Sequence, residues 1–185
     1  MRVISGSFRG TRLVSLGDAG IRPTLDRVKE SFFNQVGQDL RGKTFLDLFA
    51  GTGSMGIEAL SRGAKEVIFI EKDSTAQELI IRNLEKCKMM TGNQISRWQL
   101  IKNEALKFIP TLKMKGSHFD FIYVDPPFKE DLYKISLSPL VDILEKEGLV
   151  VVEHFHKTKL QGSYGRLKSF KDRHLGDTCL TFFKT

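Results

Sequence analysis

Asp47-Leu48-Phe49-Ala50-Gly51-Thr52-Gly53-Ser54-Met55-Gly56 is the stretch that decides the fold. It closes an apolar run, 44–48, and delivers the chain into a glycine-rich turn, after which 55–62 has a helical pattern stopped by Gly63. Strand, tight turn and helix in that order open a β-α-β unit. Glycines in such a turn let the backbone bend sharply and approach a ligand at the carboxyl end of the strand. The alternation continues downstream. Residues 66–71 read as a second strand, 75–88 as a helix, 98–101 as a short third strand and 105–109 as a weak helix. Residues 119–124 follow as a fourth strand, 132–145 as mostly helix and 148–153 as a fifth strand. Near-continuous apolar strands separated by helices imply a parallel sheet covered on both faces. The last β-like runs, 164–170 and 179–183, have no helix between them and are expected to pair antiparallel. This predicts a Rossmann-like α/β fold of seven strands, the final one reversed.

Upstream, Val3-Ile4 and Leu13-Val14 flank a turn-rich segment and read as a small β-hairpin. Thr24 is a plausible N-cap for a helix with Leu25, Val28, Phe32 and Val36 at helical spacing. Residues 1–23 are therefore expected to form an extension on a core of 24–185, all within one domain. With 185 residues and 41% hydrophobic content, one domain has enough material for a sizeable core. Cys87 and Cys179 suggest neither a disulfide framework nor a metal site. No run approaches the ~18 apolar residues of a membrane span, and the N-terminus has no signal-peptide core, so the expected location is the cytoplasm.

The net charge of +7 is unevenly placed. Residues 1–43 carry eight Lys/Arg against four Asp/Glu, and 157–185 carry seven against two. The middle, 44–156, has fourteen against sixteen. Positive excess confined to the two ends is what a polyphosphate partner selects, although basic ends also serve solubility.

Gly51, Gly53 and Gly56 satisfy G-x-G-x-x-G, which by itself fits a dinucleotide pyrophosphate. Asp47 argues otherwise. A carboxylate just before the turn repels a pyrophosphate but balances a cationic amine or sulfonium. Glu71, at the end of the second strand, suits bidentate hydrogen bonding to the ribose hydroxyls of either NAD or S-adenosylmethionine. Glu104 is either an acceptor for an adenine amino group or a helix first-turn acid. Together these residues point to a sulfonium-bearing nucleoside.

Asp125-Pro126-Pro127-Phe128 ends the fourth strand and is the strongest signal in the chain. Two prolines stop the strand, fix the backbone and offer no amide hydrogen. The corner presents acceptors only, the Asp125 carboxylate and nearby carbonyls. Such acceptors can orient an amino group so that its lone pair faces a methyl donor, and Phe128 gives a flat face on which a base can stack. No cysteine accompanies the corner, which disfavours covalent attack on a ring carbon.

At this point the chain resembles the bacterial 16S ribosomal RNA guanine-N2 methyltransferases of the RsmD type. The similarity runs over nearly its whole length. It rests on Arg2-Val3-Ile4-Ser5-Gly6 with Arg9-Gly10, Arg22-Pro23-Thr24 with Asp26-Arg27-Val28-Lys29-Glu30, and Leu46 through Gly53 with Gly56. Glu58-Ala59-Leu60-Ser61-Arg62 and Val124-Asp125-Pro126-Pro127-Phe128 complete it. The resemblance implies a class I S-adenosylmethionine-dependent methyltransferase fold with an appended N-terminal hairpin. It implies that Asp47, Phe49, Gly51, Gly53 and Glu71 hold S-adenosylmethionine, with Glu104 near its adenine. In the family the Glu104 position is often Asp. The target guanine is expected at Asp125, Pro126, Pro127 and Phe128. Arg22 and Thr24 are expected beside the active site, and Arg9, Arg12 and Arg27 at phosphates. The implied partner is 16S ribosomal RNA within the small subunit or its assembly intermediate, with the enzyme acting as a monomer away from membranes and without a metal.

Three other readings compete. A DNA adenine- or cytosine-amino methyltransferase shares the Asp-Pro-Pro-Phe corner, but 185 residues leave little room for a sequence-reading domain. An NAD oxidoreductase is disfavoured by Asp47 and by the lack of a hydride-site His or Tyr. A binding module without activity is disfavoured by the intact glycine turn and corner.

Overall fold

The computed structural model describes residues 1–15, 26–90, 97–127 and 130–185. Helix α1 (Asp26–Val36) leads into β1 (Thr44–Leu48), α2 (Ser54–Ser61), β2 (Glu66–Glu71), α3 (Ser74–Lys86) and β3 (Trp98–Lys102). Next come α4 (Ala105–Met114), β4 (Phe119–Val124), α5 (Glu130–Leu137), a 3-10 helix (Ser138–Ile143) and β5 (Leu144–Phe155). The chain closes with β6 (Ser163–Tyr164), β7 (Leu167–Leu175) and β8 (Thr178–Lys184). The strands form one sheet in the order β3-β2-β1-β4-β5-β8-β7-β6. The first five are parallel, and β8 runs antiparallel between β5 and β7, as the sequence predicts.

Side-chain alternation along the central strands builds two cores. Phe45, Val67, Phe69, Phe121, Tyr123 and Val151 face one side, against α1, α2 and α3. Leu46, Ile68, Ile122, Val124, Val150 and Val152 face the other, against α4, α5 and the 3-10 helix. Strands buried on both faces read as unbroken apolar runs because neither face meets water. The chain reverses direction through the sheet between β1 and β4, where open α/β sheets leave a crevice above the carboxyl ends.

Four expectations need correction. The sheet has eight strands, not seven: the run 164–170 is broken by a turn at Gly165, whose φ of 62° reverses the chain, so β6 and β7 separate. The helix expected over 132–145 ends at Leu137, because Pro139 lacks an amide hydrogen and its ring clashes with a helical carbonyl; a 3-10 turn replaces it and β5 starts at Leu144. Helix α4 runs past its expected end to Met114 despite Pro110, which lies on its exposed side while Ile109 and Leu112 hold it to the core. The N-terminal hairpin is present only as one antiparallel bridge, Arg2 with Arg12, flanked by the bonds from Val3 N–H to Thr11 O and from Gly10 N–H to Val3 O.

That N-terminal segment is fastened to α2 from below its backbone. Glu58, fully buried, accepts from the amides of Ile4 (2.8 Å) and Ser5 (2.9 Å) and from Arg62 Nε (2.9 Å). Lys29 of α1 lies 3.4 Å from the same carboxylate and also donates to Arg2 O. Ser61 accepts from Phe8 N–H and donates to Ser5 O. A Cβ on Gly6 would stand 1.9 Å from Ser61 O, so the two backbones touch there. Removing a carboxylate that neutralises buried cations typically costs about 3–5 kcal/mol. Glu58→Ala is expected to lose stability on that scale in urea denaturation, with Glu58→Gln losing less; a loss under about 1 kcal/mol would show that the cluster is not what fastens the segment.

Candidate active site

Strand β1 passes into the turn through Phe49, a bulky residue held at φ 68°. Such a conformation is strained for a side chain of this size and persists only where its surroundings impose it. Ala50 N–H reaches Ile70 O (3.0 Å), and Gly53 N–H folds back to Ala50 O (2.7 Å). Gly53, at φ 73°, caps α2 without a side-chain contact. A Cβ on Gly56 would lie 2.2 Å from the Phe69 ring, so glycine there lets α2 settle directly on β2.

Above this turn lies a cleft of about 450 Å³, a size typical of small-molecule sites, which run from ~300 to ~1,000 Å³. Ile70, Ala76, Ala105 and Leu106 give it an apolar wall. Among the described residues its charged lining is five carboxylates, Glu71, Asp73, Glu104, Asp125 and Glu153, against one lysine, Lys72. In a protein of net charge +7 this is a local reversal of sign. The cleft is built for a ligand with an apolar ring and positive charge, and it disfavours a pyrophosphate.

Glu71 is committed mostly to backbone. Its carboxylate accepts from the amides of Gly51 (2.8 Å), Lys72 (2.8 Å) and Asp73 (2.9 Å). A carboxylate has about four acceptor positions, so Glu71 ties the glycine turn to the end of β2 and has about one position left for a ribose hydroxyl, not the two of a bidentate grip. Asp47 also differs from expectation. It is 2% exposed, lies outside the cleft lining and accepts from Gly56 N–H at 2.9 Å. Its carboxylate sits behind the turn and shapes it. Burial pushes its pKa up to about 7, with the nearby Glu71 charge adding to the rise and the Gly56 amide opposing it. Glu104 lines the cleft at the N-cap of α4, where it pairs with Lys107 at 3.1 Å. Both of its expected roles, cleft acid and helix-start acid, are compatible with that position.

Asp125, Pro126 and Pro127 form the opposite rim of the cleft, beyond the last β4 residue. Phe128, Arg22 and Thr24 lie outside the described residues. Arg9 and Arg12 are exposed on the N-terminal segment, away from the cleft lining. Arg27 is exposed near the β7–β8 turn: a Cβ on Gly176 would come within 2.9 Å of its guanidinium. That turn precedes Thr178, a cleft residue.

Several contributors were missed by the sequence reading. Glu153, His154 and Phe155 at the end of β5 complete the far wall. Tyr123, 1% exposed, donates to Glu153. Asn83 joins the extension to the glycine turn, accepting from Val14 N–H and donating to Val14 O and Thr52 O. In sequence, Asn83 is one polar residue in an amphipathic helix and Glu153 is a polar strand end; neither pattern distinguishes them from solvated residues.

A family described as conserved hypothetical protein 95 matches residues 1–184. Among curated proteins, "Putative rRNA methyltransferase YlbH" of Bacillus subtilis is 37% identical over the full length of this chain and 98% of its own. "Ribosomal RNA small subunit methyltransferase D" of Haemophilus influenzae is 37% identical over 83% of this chain and 78% of its own. Among solved structures, "Putative methyltransferase yhhF" of Escherichia coli superposes with a TM-score of 0.81 at 26% identity, covering 99% of this chain and 96% of the other. The architecture is that of class I methyltransferases with an antiparallel edge.

A raised carboxyl pKa in the folded state means that the folded chain holds a proton the unfolded chain releases. Asp47's contribution to stability is therefore constant below the ordinary value of 3.8, falls as pH rises towards about 7, and stays lost above that. Asp47→Asn keeps an acceptor for Gly56 N–H and removes the titration. Denaturation curves between pH 4 and pH 8 are expected to show a shallower decline with rising pH for the variant; parallel curves would contradict the buried-acid assignment.

Proposed function

The chain belongs to the RsmD-type methyltransferase family, and from that premise we propose that it transfers a methyl group from S-adenosylmethionine to the exocyclic N2 of a guanine in 16S ribosomal RNA. The observation that carries the reading is the acid-rich cleft in an otherwise basic protein. Its carboxylates suit a sulfonium and an ammonium, while the basic ends suit RNA phosphates.

The residues fit the cofactor. The backbone of the glycine turn allows close approach at Gly51 and Gly53, and Glu71 offers its remaining acceptor position to a ribose hydroxyl. Ile70, Ala105 and Leu106 supply flat apolar surface for an adenine ring, with Asn103 and Glu104 at its polar edge. Phe49 carries the chain over the ligand, and Asp47 braces the turn through Gly56. When bound, S-adenosylmethionine supplies an electrophilic methyl on sulfur.

The chain's own part in the reaction is orientation. Asp125 and the carbonyls of the Asp-Pro-Pro corner accept hydrogen bonds from the target amine, which aims its lone pair at the methyl and favours the positive charge that develops on nitrogen. Once methylated, the amine would shed one proton to solvent. No side chain has to remove that proton beforehand. Pro126 and Pro127 keep the corner rigid and free of competing amide donors. Phe128 stacks the base. Arg22 and Thr24 border the substrate, and Arg9, Arg12 and Arg27 contact phosphates of the RNA in the small subunit or its assembly intermediate.

Asp125→Ala is expected to lower single-turnover methylation of 16S RNA by at least about 100-fold, with calorimetric affinity for S-adenosylmethionine kept within a few-fold. Unchanged turnover would overturn the assignment of the corner.

A further inference from the structure

The end of β5 supplies a second carboxylate that the orientation of the amine does not use. Strands β4 and β5 are parallel neighbours paired through Val124 and Val152. Asp125 and Glu153 are the next residues on each, so their backbones stand about one inter-strand spacing, ~4.8 Å, apart. Alternation puts both on the face of the sheet that carries Tyr123, and both line the cleft. Two carboxylates side by side make a wall that accepts at two adjacent places.

Glu153 is held in position. The Tyr123 hydroxyl donates to its Oε2, and the Tyr123 ring is locked edge-on against Phe32 at 5.5 Å. Burial, with the charges of Glu153 and Asp125 adding, raises the Tyr123 pKa well above its ordinary value, so the phenol stays protonated and remains a donor. Asp47 is the third acid near it on this face.

Among the bases with an exocyclic amine, guanine alone presents a ring N–H next to that amine on its pairing edge. Adenine and cytosine present a ring acceptor there, which would face a carboxylate acceptor with no hydrogen between them. An unpaired acceptor in a buried site is costly, and sites built around a particular donor reject analogues that lack it. We propose that Glu153 is the residue that selects guanine, accepting the N1–H while Asp125 accepts from the N2 amine, and that Tyr123 is its positioning residue. This rests on the guanine-N2 reading and gives it a structural cause: the neighbouring acids read two neighbouring donors.

The test uses RNA in which the target guanine is replaced by 2-aminopurine, which keeps the 2-amino group but has an acceptor at N1. Wild-type protein is expected to prefer guanine by about 100-fold or more in kcat/KM. In Glu153→Gln, whose amide can donate to an N1 acceptor, that preference is expected to shrink by about 10-fold or more, and comparison of the two ratios removes the separate effect of losing O6. Tyr123→Phe should raise KM for the guanine RNA more than it lowers kcat, since it frees the orientation of Glu153 without removing it. Fluorescence of the 2-aminopurine gives a readout without methyl transfer: Glu153→Gln should bind that RNA more tightly than wild type does. An unchanged guanine preference in Glu153→Gln, with wild type active on guanine, overturns the role of Glu153 alone. Wild-type protein inactive on the guanine RNA overturns the guanine-N2 reading and this proposal with it.

Discussion

The buried carboxylate of Glu58 is the interaction on which the rest of the architecture depends. Fully removed from water, it gathers two backbone amides of the N-terminal segment, the guanidinium of Arg62 and the ammonium of Lys29. Isolated, any of these charges would be prohibitively costly in the interior; together they satisfy one another. Arg62 is further placed over the Phe33 ring at 4.2 Å. One side chain thus fixes three elements, the N-terminal segment, α1 and α2. Because Gly53 caps α2, the position of the glycine turn, and so the floor of the cleft, follows from it. Three of the stretches on which the family resemblance rests, 2–6, 26–30 and 58–62, meet at this one cluster.

A second constraint is the separation of charge. The chain concentrates carboxylates around its cleft and leaves its positive excess on the two terminal segments. Glu71 and Asp73 fasten loops and a helix start, but Asp125 and Glu153 stand on adjacent strand ends, where like charges repel. A cationic ligand and a base edge made of donors relieve that repulsion. The fold thus keeps charge of opposite sign in two places, acidic around the cleft and basic on the terminal segments.

The central strands could be read from composition because each is buried on both faces, and a strand such as 119–124 then has no polar alternation to obscure it. The glycine turn and the Asp125 corner were also readable, since each requires residue types with particular backbone properties. What sequence could not convey was direction. Asp47 and Glu71 are acids in the expected places, yet one turns behind the loop and the other spends most of its acceptors on amides. Glu153 and Asn83 gave no signal because a polar residue at a strand end or on a helix face reads as solvated until the fold shows what covers it. Pro139 is a helix breaker inside 132–145, where apolar spacing on both sides mimics one continuous helix.

Delivery of a methyl group to guanine N2 in 16S ribosomal RNA by this acid-walled cleft is what we propose. The most direct measurement is mass mapping of methylated nucleosides in 16S RNA from cells with and without this protein. One N2-methylguanosine is expected to disappear when the protein is absent and to return when it is restored. An unchanged guanine pattern, or loss of a methyl group from adenine or cytosine instead, would contradict it.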